Sequence, residues 1–294
     1  MTAFPGSGPN SSQTPISLAP GGFIPTTRDG LRHLEHVMGV PVMFDICGDP
    51  LRGKAALEAA VDWLHWADAT FSTYRSDSEI SRLNRGELAI ADLHPDVAAV
   101  LARCAELKEE TDGYFDIEAP YHSGPGSGVP EAGRGGPGSV EPSGVVKGWA
   151  VARVVRILRE GGVANFLVNA SGDVYAAGHP DGGSAWRVGI QHPRLAAEVV
   201  LTLALRDASV ATSGMQARGE HIADPFDARV PSGLLAVTIT GEDIATADAY
   251  ATAAFAMGAQ RAAAWCAGLK GYEAALFCED DTVLTTPGLT RLRV

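Results

Sequence analysis

The sequence is poor in cysteine and in basic charge, and it has no apolar run long enough for a membrane. Its four cysteines, Cys47, Cys104, Cys266 and Cys278, are widely spaced and form no CxxC pair. That spacing excludes the common zinc patterns and a dense disulfide framework, and it predicts reduced thiols acting as small core hydrophobes. Only 23 lysines and arginines stand against 35 acidic residues, a formal net charge of −12. Nucleic acid and anionic membrane surfaces call for clustered Lys and Arg, so neither is an expected partner. A phosphorylated substrate would need local neutralisation by a metal ion, a lysine or backbone N–H groups. No stretch approaches the ~20 apolar residues that span a bilayer. The first thirty residues lack a basic region followed by an apolar one, which argues against a signal peptide and for a cytoplasmic protein. GxxxxGKS/T phosphate loops, HExxH zinc helices and GxSxG nucleophile elbows are absent as well, so the common nucleotide and hydrolase folds lack support.

What is there is an ordinary globular balance, 46% hydrophobic and 20% charged, in 294 residues. Residues 1 to about 30 are rich in Pro, Gly, Ser and Thr and read as a flexible tail, leaving 31–294 as one domain. A strand is expected at 41–46. Leu57, Val61 and Leu64 recur at helical spacing, as do Val97, Val100, Cys104 and Leu107 behind Pro95. A Gly/Pro/Ser-rich insert covers about 122–139; the motifs on its two sides have to build one site, so it is not a domain linker. Val151, Val154, Val155 and Leu158 mark a helix starting near Lys147. Alternating runs at 165–168, 186–190, 199–205 and 234–240 follow, then helices at 246–257 and 262–269 and strands at 273–277 and 282–285. Strands and helices without a βαβ rhythm predict an α+β fold with mainly antiparallel sheets packed by helices.

Several segments could carry chemistry, and each allows a plainer reading. In Thr246-Ala-Asp-Ala-Tyr-Ala-Thr252, Asp248 and Thr252 share a helix face. A carboxylate and a hydroxyl there offer hard oxygen ligands for Mg²⁺; alternatively Thr246 caps the helix, Asp248 completes its first turn and Thr252 merely packs. His221, before Asp224-Pro225, could be a general base or a structural histidine. Asn169-Ala-Ser-Gly-Asp173 and Val210-Ala-Thr-Ser-Gly214 could expose N–H groups to a phosphate or be ordinary tight turns. Gly144-Val-Val-Lys-Gly148 puts Lys147 at a helix start, where it and the helix dipole would favour phosphate.

Read in order, these segments resemble the ApbE family, the FAD:protein FMN transferases. The series runs from Met38-Gly39-Val40 through Phe71-Ser-Thr-Tyr74, Ser78-Glu-Ile-Ser-Arg-Leu-Asn84, Phe115-Asp116 and Gly144-Val-Val-Lys-Gly-Trp-Ala-Val151. Asn169–Asp173, Trp186-Arg-Val-Gly-Ile190 with Pro193, Val210–Gly214, His221-Ile-Ala-Asp-Pro225 and Ala247-Asp-Ala-Tyr-Ala-Thr252 through Met257-Gly258 complete it, covering roughly 34 to 280. The pattern departs at Ile117-Glu-Ala-Pro120, in the insert, at Glu141, and at Asp224-Pro-Phe-Asp-Ala-Arg229, where the family usually has Asp-Pro-Arg-Thr-Gly.

The resemblance implies an active-site cleft between two sub-lobes and a Mg²⁺-dependent transfer of FMN from FAD to a Thr or Ser hydroxyl of an acceptor protein, with release of AMP. It implies Asp248, Thr252 and the Gly144 carbonyl as metal ligands, and Met38 and Tyr74 as flavin contacts. Asp173, Thr212 and Ser213 would line the rest of the cleft, Lys147 would face phosphate, and His221 would take the hydroxyl proton. Two alternatives share the site: an FAD pyrophosphatase, in which water attacks, and a non-catalytic FAD-binding protein.

Overall fold

The computed structural model describes residues 23–25, 30–119, 138–180, 183–195, 198–214 and 222–294. Apart from Gly138 and Ser139, the expected insert lies outside these residues, and so does His221. Most of the expected tail lies outside them too. Within that tail, however, Phe23–Pro25 forms strand β1 on the sheet edge, a position suited to Pro25, which has no N–H to donate.

Among the described residues, nine strands form one sheet. After β1 come β2 (Gly30–Val37), β3 (Val40–Cys47), β4 (Asn165–Ala170) and β5 (Asp173–Ala177). Beyond them lie β8 (Ala208–Gly214), β9 (Leu234–Gly241), β10 (Tyr272–Cys278) and β11 (Val283–Thr285), in the spatial order β1-β2-β3-β4-β5-β8-β9-β10-β11. Strands β6 (Trp186–Gln191) and β7 (Val199–Leu205) form a separate hairpin, and every pairing among the described strands is antiparallel. The α-helices of the described residues are α1 (Pro50–Phe71), α2 (Glu79–Asn84), α3 (Pro95–Glu110), α4 (Ser143–Glu160) and α5 (Ile244–Ala267).

Strand alternation sorts the core into three clusters, two on one face of the sheet and one on the other. On β5, Tyr175 and Ala177 face the cluster under α1 and α4, whereas Val174 and Ala176 face the hairpin. On β10, Ala274 and Leu276 join α3 and α5, and Ala275 and Phe277 join the hairpin. The hairpin is fixed to the sheet by Trp186, whose Nε1–H donates to the Ala177 carbonyl (2.9 Å). The α+β architecture with antiparallel pairing is the expected one. The two expected sub-lobes are two helix groups, α1 with α4 and α3 with α5, on one face of a single sheet. Val145 and Val146 of α4 belong to the α3/α5 core and the rest of α4 to the α1 core, so the start of α4 lies where the groups meet.

Local chemistry explains most helix starts. Asp49 accepts the Leu51 N–H (3.0 Å) ahead of α1, and Pro50 and Pro95 open α1 and α3 at the position where a missing N–H costs nothing. Three expectations change. Helix α4 begins at Ser143, a turn before Lys147. Residues 210–214 are strand rather than turn; their small side chains reflect the close approach of α5, which shares a core with Ala211. The helices expected at 246–257 and 262–269 are one element broken at Gly258 (φ 70°, ψ 169°), a backbone geometry open only to glycine.

Candidate active site

The start of α4 is braced from the side by α2. Ser78 caps α2 by accepting the Ser81 N–H (3.0 Å). At the other end Asn84 bonds the Val140 backbone twice, accepting its N–H (2.8 Å) and donating to its carbonyl (2.9 Å), as a neighbouring strand would. Glu141 accepts the Ser143 N–H (3.1 Å) and the Thr73 hydroxyl (2.8 Å), placing a carboxylate at the positive end of α4. The Ser78–Asn84 motif thus positions the segment that delivers Gly144.

Gly148 sets the contact between α4 and α5. A Cβ there would stand 2.7 Å from the Ile244 carbonyl oxygen and 2.9 Å from both Ala245 Cα and Asp248 Cβ. Its N–H, which in a regular helix serves the Gly144 carbonyl, donates to Asp248 Oδ2 (2.9 Å). Asp248 therefore caps nothing in its own helix. Asp243 does that, its Oδ2 accepting the Thr246 N–H (2.8 Å) and hydroxyl (2.7 Å), which corrects Thr246 as the cap.

Around Asp248, only 3% exposed, the charges are dense. Lys147 Nζ lies 2.6 Å from Asp173 Oδ2 and 3.8 Å from Asp248 Oδ1. Asp173, fully buried, accepts the Thr212 N–H (3.1 Å) on Oδ1; Oδ2 has no aligned hydrogen bond, its contact being the ionic approach of Lys147. Burial pushes the Asp248 carboxyl up to about 7; the Lys147 charge opposes that and the Asp173 charge adds to it. Thr252, one turn on, holds its Oγ1 3.1 Å from Ser213 Oγ. A Cβ on Gly144 would stand 3.6 Å from Thr252 Cγ2, so the start of α4 lies against Thr252 of α5.

These groups open on a cleft of about 150 Å³. Gly144 and Lys147 of α4, Asp248 and Thr252 of α5, and Thr212 and Ser213 of β8 line it, facing Phe115, Ile222 and Pro225. Asp173 sits behind Lys147 and off the wall. Met38 occupies the β2–β3 turn (φ 56°), packed against the α1/α4 core, and Tyr74 is 57% exposed; neither is on the described cleft wall. Ile222, next in chain to His221, is. Among the described residues no three His, Cys, Asp or Glu side chains could hold a metal by themselves. One buried carboxylate, a hydroxyl and a helix-terminal carbonyl instead make a partial set, of the kind Mg²⁺ completes with water and phosphate oxygens. Glu141, Asn84 and Gly148 were not legible as site residues: each acts through the backbone or a carboxylate of a distant segment.

Comparison with known proteins identifies the family and the fold. The family model described as "ApbE family" matches residues 38–120 and 133–277. A Vibrio cholerae protein named FAD:protein FMN transferase is 30% identical over 132 residues, 42% of this chain and 40% of that relative's length. A Haemophilus influenzae protein of the same name is 24% identical over 243 residues, 66% of this chain and 70% of its own. In three dimensions, the ApbE protein from Thermotoga maritima aligns with a TM-score of 0.78 at 21% identity, over 90% of this chain and 100% of that one. The flavin transferase ApbE from Vibrio cholerae aligns with a TM-score of 0.75 at 22% identity, over 90% and 99%. With both matched blocks spanning the cleft-forming segments on either side of the insert, the chain belongs to the ApbE family.

Proposed function

We propose that this chain transfers FMN from FAD to a Thr or Ser hydroxyl of an acceptor protein, releasing AMP. The observation that carries the reading is the convergence of Gly144, Asp248 and Thr252 on one cleft wall beside Lys147. Asp248, Thr252 and the Gly144 carbonyl would hold Mg²⁺, and the Gly148 N–H on Asp248 leaves that carbonyl less committed to its helix. Bound there, Mg²⁺ would supply Lewis-acid charge to the phosphoryl oxygens and the departing AMP. Lys147, tethered by Asp173, would hold its ammonium towards the diphosphate. The acceptor oxygen forms a bond to the FMN phosphorus as the anhydride bond to AMP breaks, and His221, which precedes cleft residue Ile222 in sequence, takes the hydroxyl proton. The cleft is well below the ~300–1,000 Å³ that encloses a whole ligand. It therefore suits the phosphate end of FAD, and contact with Met38 and Tyr74 requires the flavin to extend beyond it.

The test is incubation with FAD and Mg²⁺, with and without an acceptor domain, following AMP and covalent flavin fluorescence on a denaturing gel. Acceptor-dependent AMP with a fluorescent band is expected, abolished by EDTA and reduced at least ~100-fold in Asp248→Asn. AMP without acceptor would make the protein a pyrophosphatase; FAD binding without any AMP would make it a binding protein.

A further inference from the structure

Beside the cleft wall stands an aromatic ring that the chemistry above does not use. Phe226 is 67% exposed, yet adjoins Pro225 of the wall. Among the described residues it is the one exposed large hydrophobic next in sequence to a wall residue. The ring is held in place. Asp224 Oδ1 accepts the Phe226 N–H (2.8 Å), the Ala228 N–H donates back to the Asp224 carbonyl (2.8 Å), and the Asp224 N–H donates to the Arg229 carbonyl (2.8 Å). The ring meets Tyr114 edge-on, centroids 5.0 Å apart, and covers Gly113, where a Cβ would come within 3.1 Å of Phe226 Cζ. Tyr114, itself on the wall, carries the Arg261 guanidinium 5.1 Å from its ring centre. A large ring fixed in water at the lip of a cleft adds little to the fold, and such exposure marks contact surfaces.

Transfer to a protein hydroxyl demands a contact there. A cleft of about 150 Å³ admits a Thr or Ser side chain but no polypeptide backbone, so residues flanking the target must lie on the rim. We infer that Phe226 is an acceptor-specificity residue, docking an apolar side chain that flanks the target hydroxyl in the acceptor polypeptide. This inference rests on the transferase reading. It also gives a role to the loop at 224–229, where this chain departs from its family's usual sequence.

The probes are short synthetic peptides with one Thr among alanines, a single Leu being moved through the two positions on either side. The KM for each follows from chromatography of the fluorescent FMN-peptide, and FAD affinity from flavin fluorescence quenching. With the wild-type protein, Leu at one position lowers KM about tenfold. That advantage disappears in Phe226→Ala and is largely kept in Phe226→Leu, while FAD affinity stays within about twofold in both. An advantage that survives Phe226→Ala, or no effect of Leu at any position, overturns the inference while leaving transfer intact. Loss of FAD affinity in Phe226→Ala overturns it too, by placing a ring of FAD on Phe226. Wild-type protein that releases AMP but labels no peptide overturns the transferase reading and this inference together.

Discussion

At Gly148 a side chain is excluded by space, since a methyl would press on the Ile244 carbonyl and on Asp248 Cβ, the very residue its N–H bonds. Gly148→Ala is expected to cost about 1–3 kcal/mol through overpacking and to weaken Mn²⁺ binding, read by the electron paramagnetic resonance of the free ion. Unchanged Mn²⁺ affinity would remove Gly148 from the site. Asp248 makes a pH prediction. Because burial raises its carboxyl, the folded protein holds that proton more tightly than the unfolded chain. The stability it contributes is full below the ordinary carboxylate value and is lost as pH rises towards about 7. Metal-free protein should therefore lose Tm as pH rises from about 4 to about 7, and Asp248→Asn should flatten that slope; parallel slopes would refute the assignment. The Asp248/Thr252 pair was legible because helical spacing alone puts both on one face. Gly148 and Glu141 were not, because a glycine does not name the helix it touches, nor a glutamate the N–H it accepts.

Helix α5 depends on its break. At Gly258 the Ala259 N–H leaves the helical ladder for the Ser232 carbonyl (3.4 Å), and a Cβ would stand 3.2 Å from that same oxygen. The break lets the first half of α5 aim Asp248 and Thr252 at α4 while the second half packs Ala262 and Cys266 into the core. Gly258→Ala should cost at least about 1–3 kcal/mol of strain, measured by urea unfolding; a neutral result would mean the helix straightens without penalty. Across the surface, Glu110 joins α3 to α5: it pairs with Arg103 of its own helix and accepts the Tyr250 hydroxyl of α5 (2.9 Å). Arg103 holds the Glu110 carboxyl below its ordinary value, so its contribution is present above that value and lost as pH falls through the folded one. Glu110→Gln should make the acid limb of the stability profile shallower. Long elements with strong periodicity, α1, α3 and α4, could be read from sequence to within a turn or two. Strand β8 could not, because the alanine, serine and glycine that let α5 approach are also the composition of a turn.

Across the molecule, charge and layering set what binds and where. With a net charge of −12 overall, Asp116, Glu141 and Asp248 line the cleft against Lys147, the one basic side chain on its described wall. Lys147 is already engaged by Asp173 and Asp248. A diphosphate entering this cleft alone meets repulsion that one shared ammonium does not offset, whereas a divalent cation neutralises both sides at once. Metal and FAD should therefore bind with positive coupling, each tightening the other by the same factor. Flavin fluorescence titrations with and without Mg²⁺ are expected to differ by about tenfold or more, and Mn²⁺ affinity should rise equally when FAD is present. The hairpin on the opposite face supplies the control. Leu203, fully buried there, should cost about 2–5 kcal/mol when cut to alanine, yet leave the metal–FAD coupling unchanged, since the sheet separates it from the cleft. FAD affinity indifferent to the metal in the wild-type protein would mean that the diphosphate lies away from Asp248, and the site would have to be sought elsewhere along the rim.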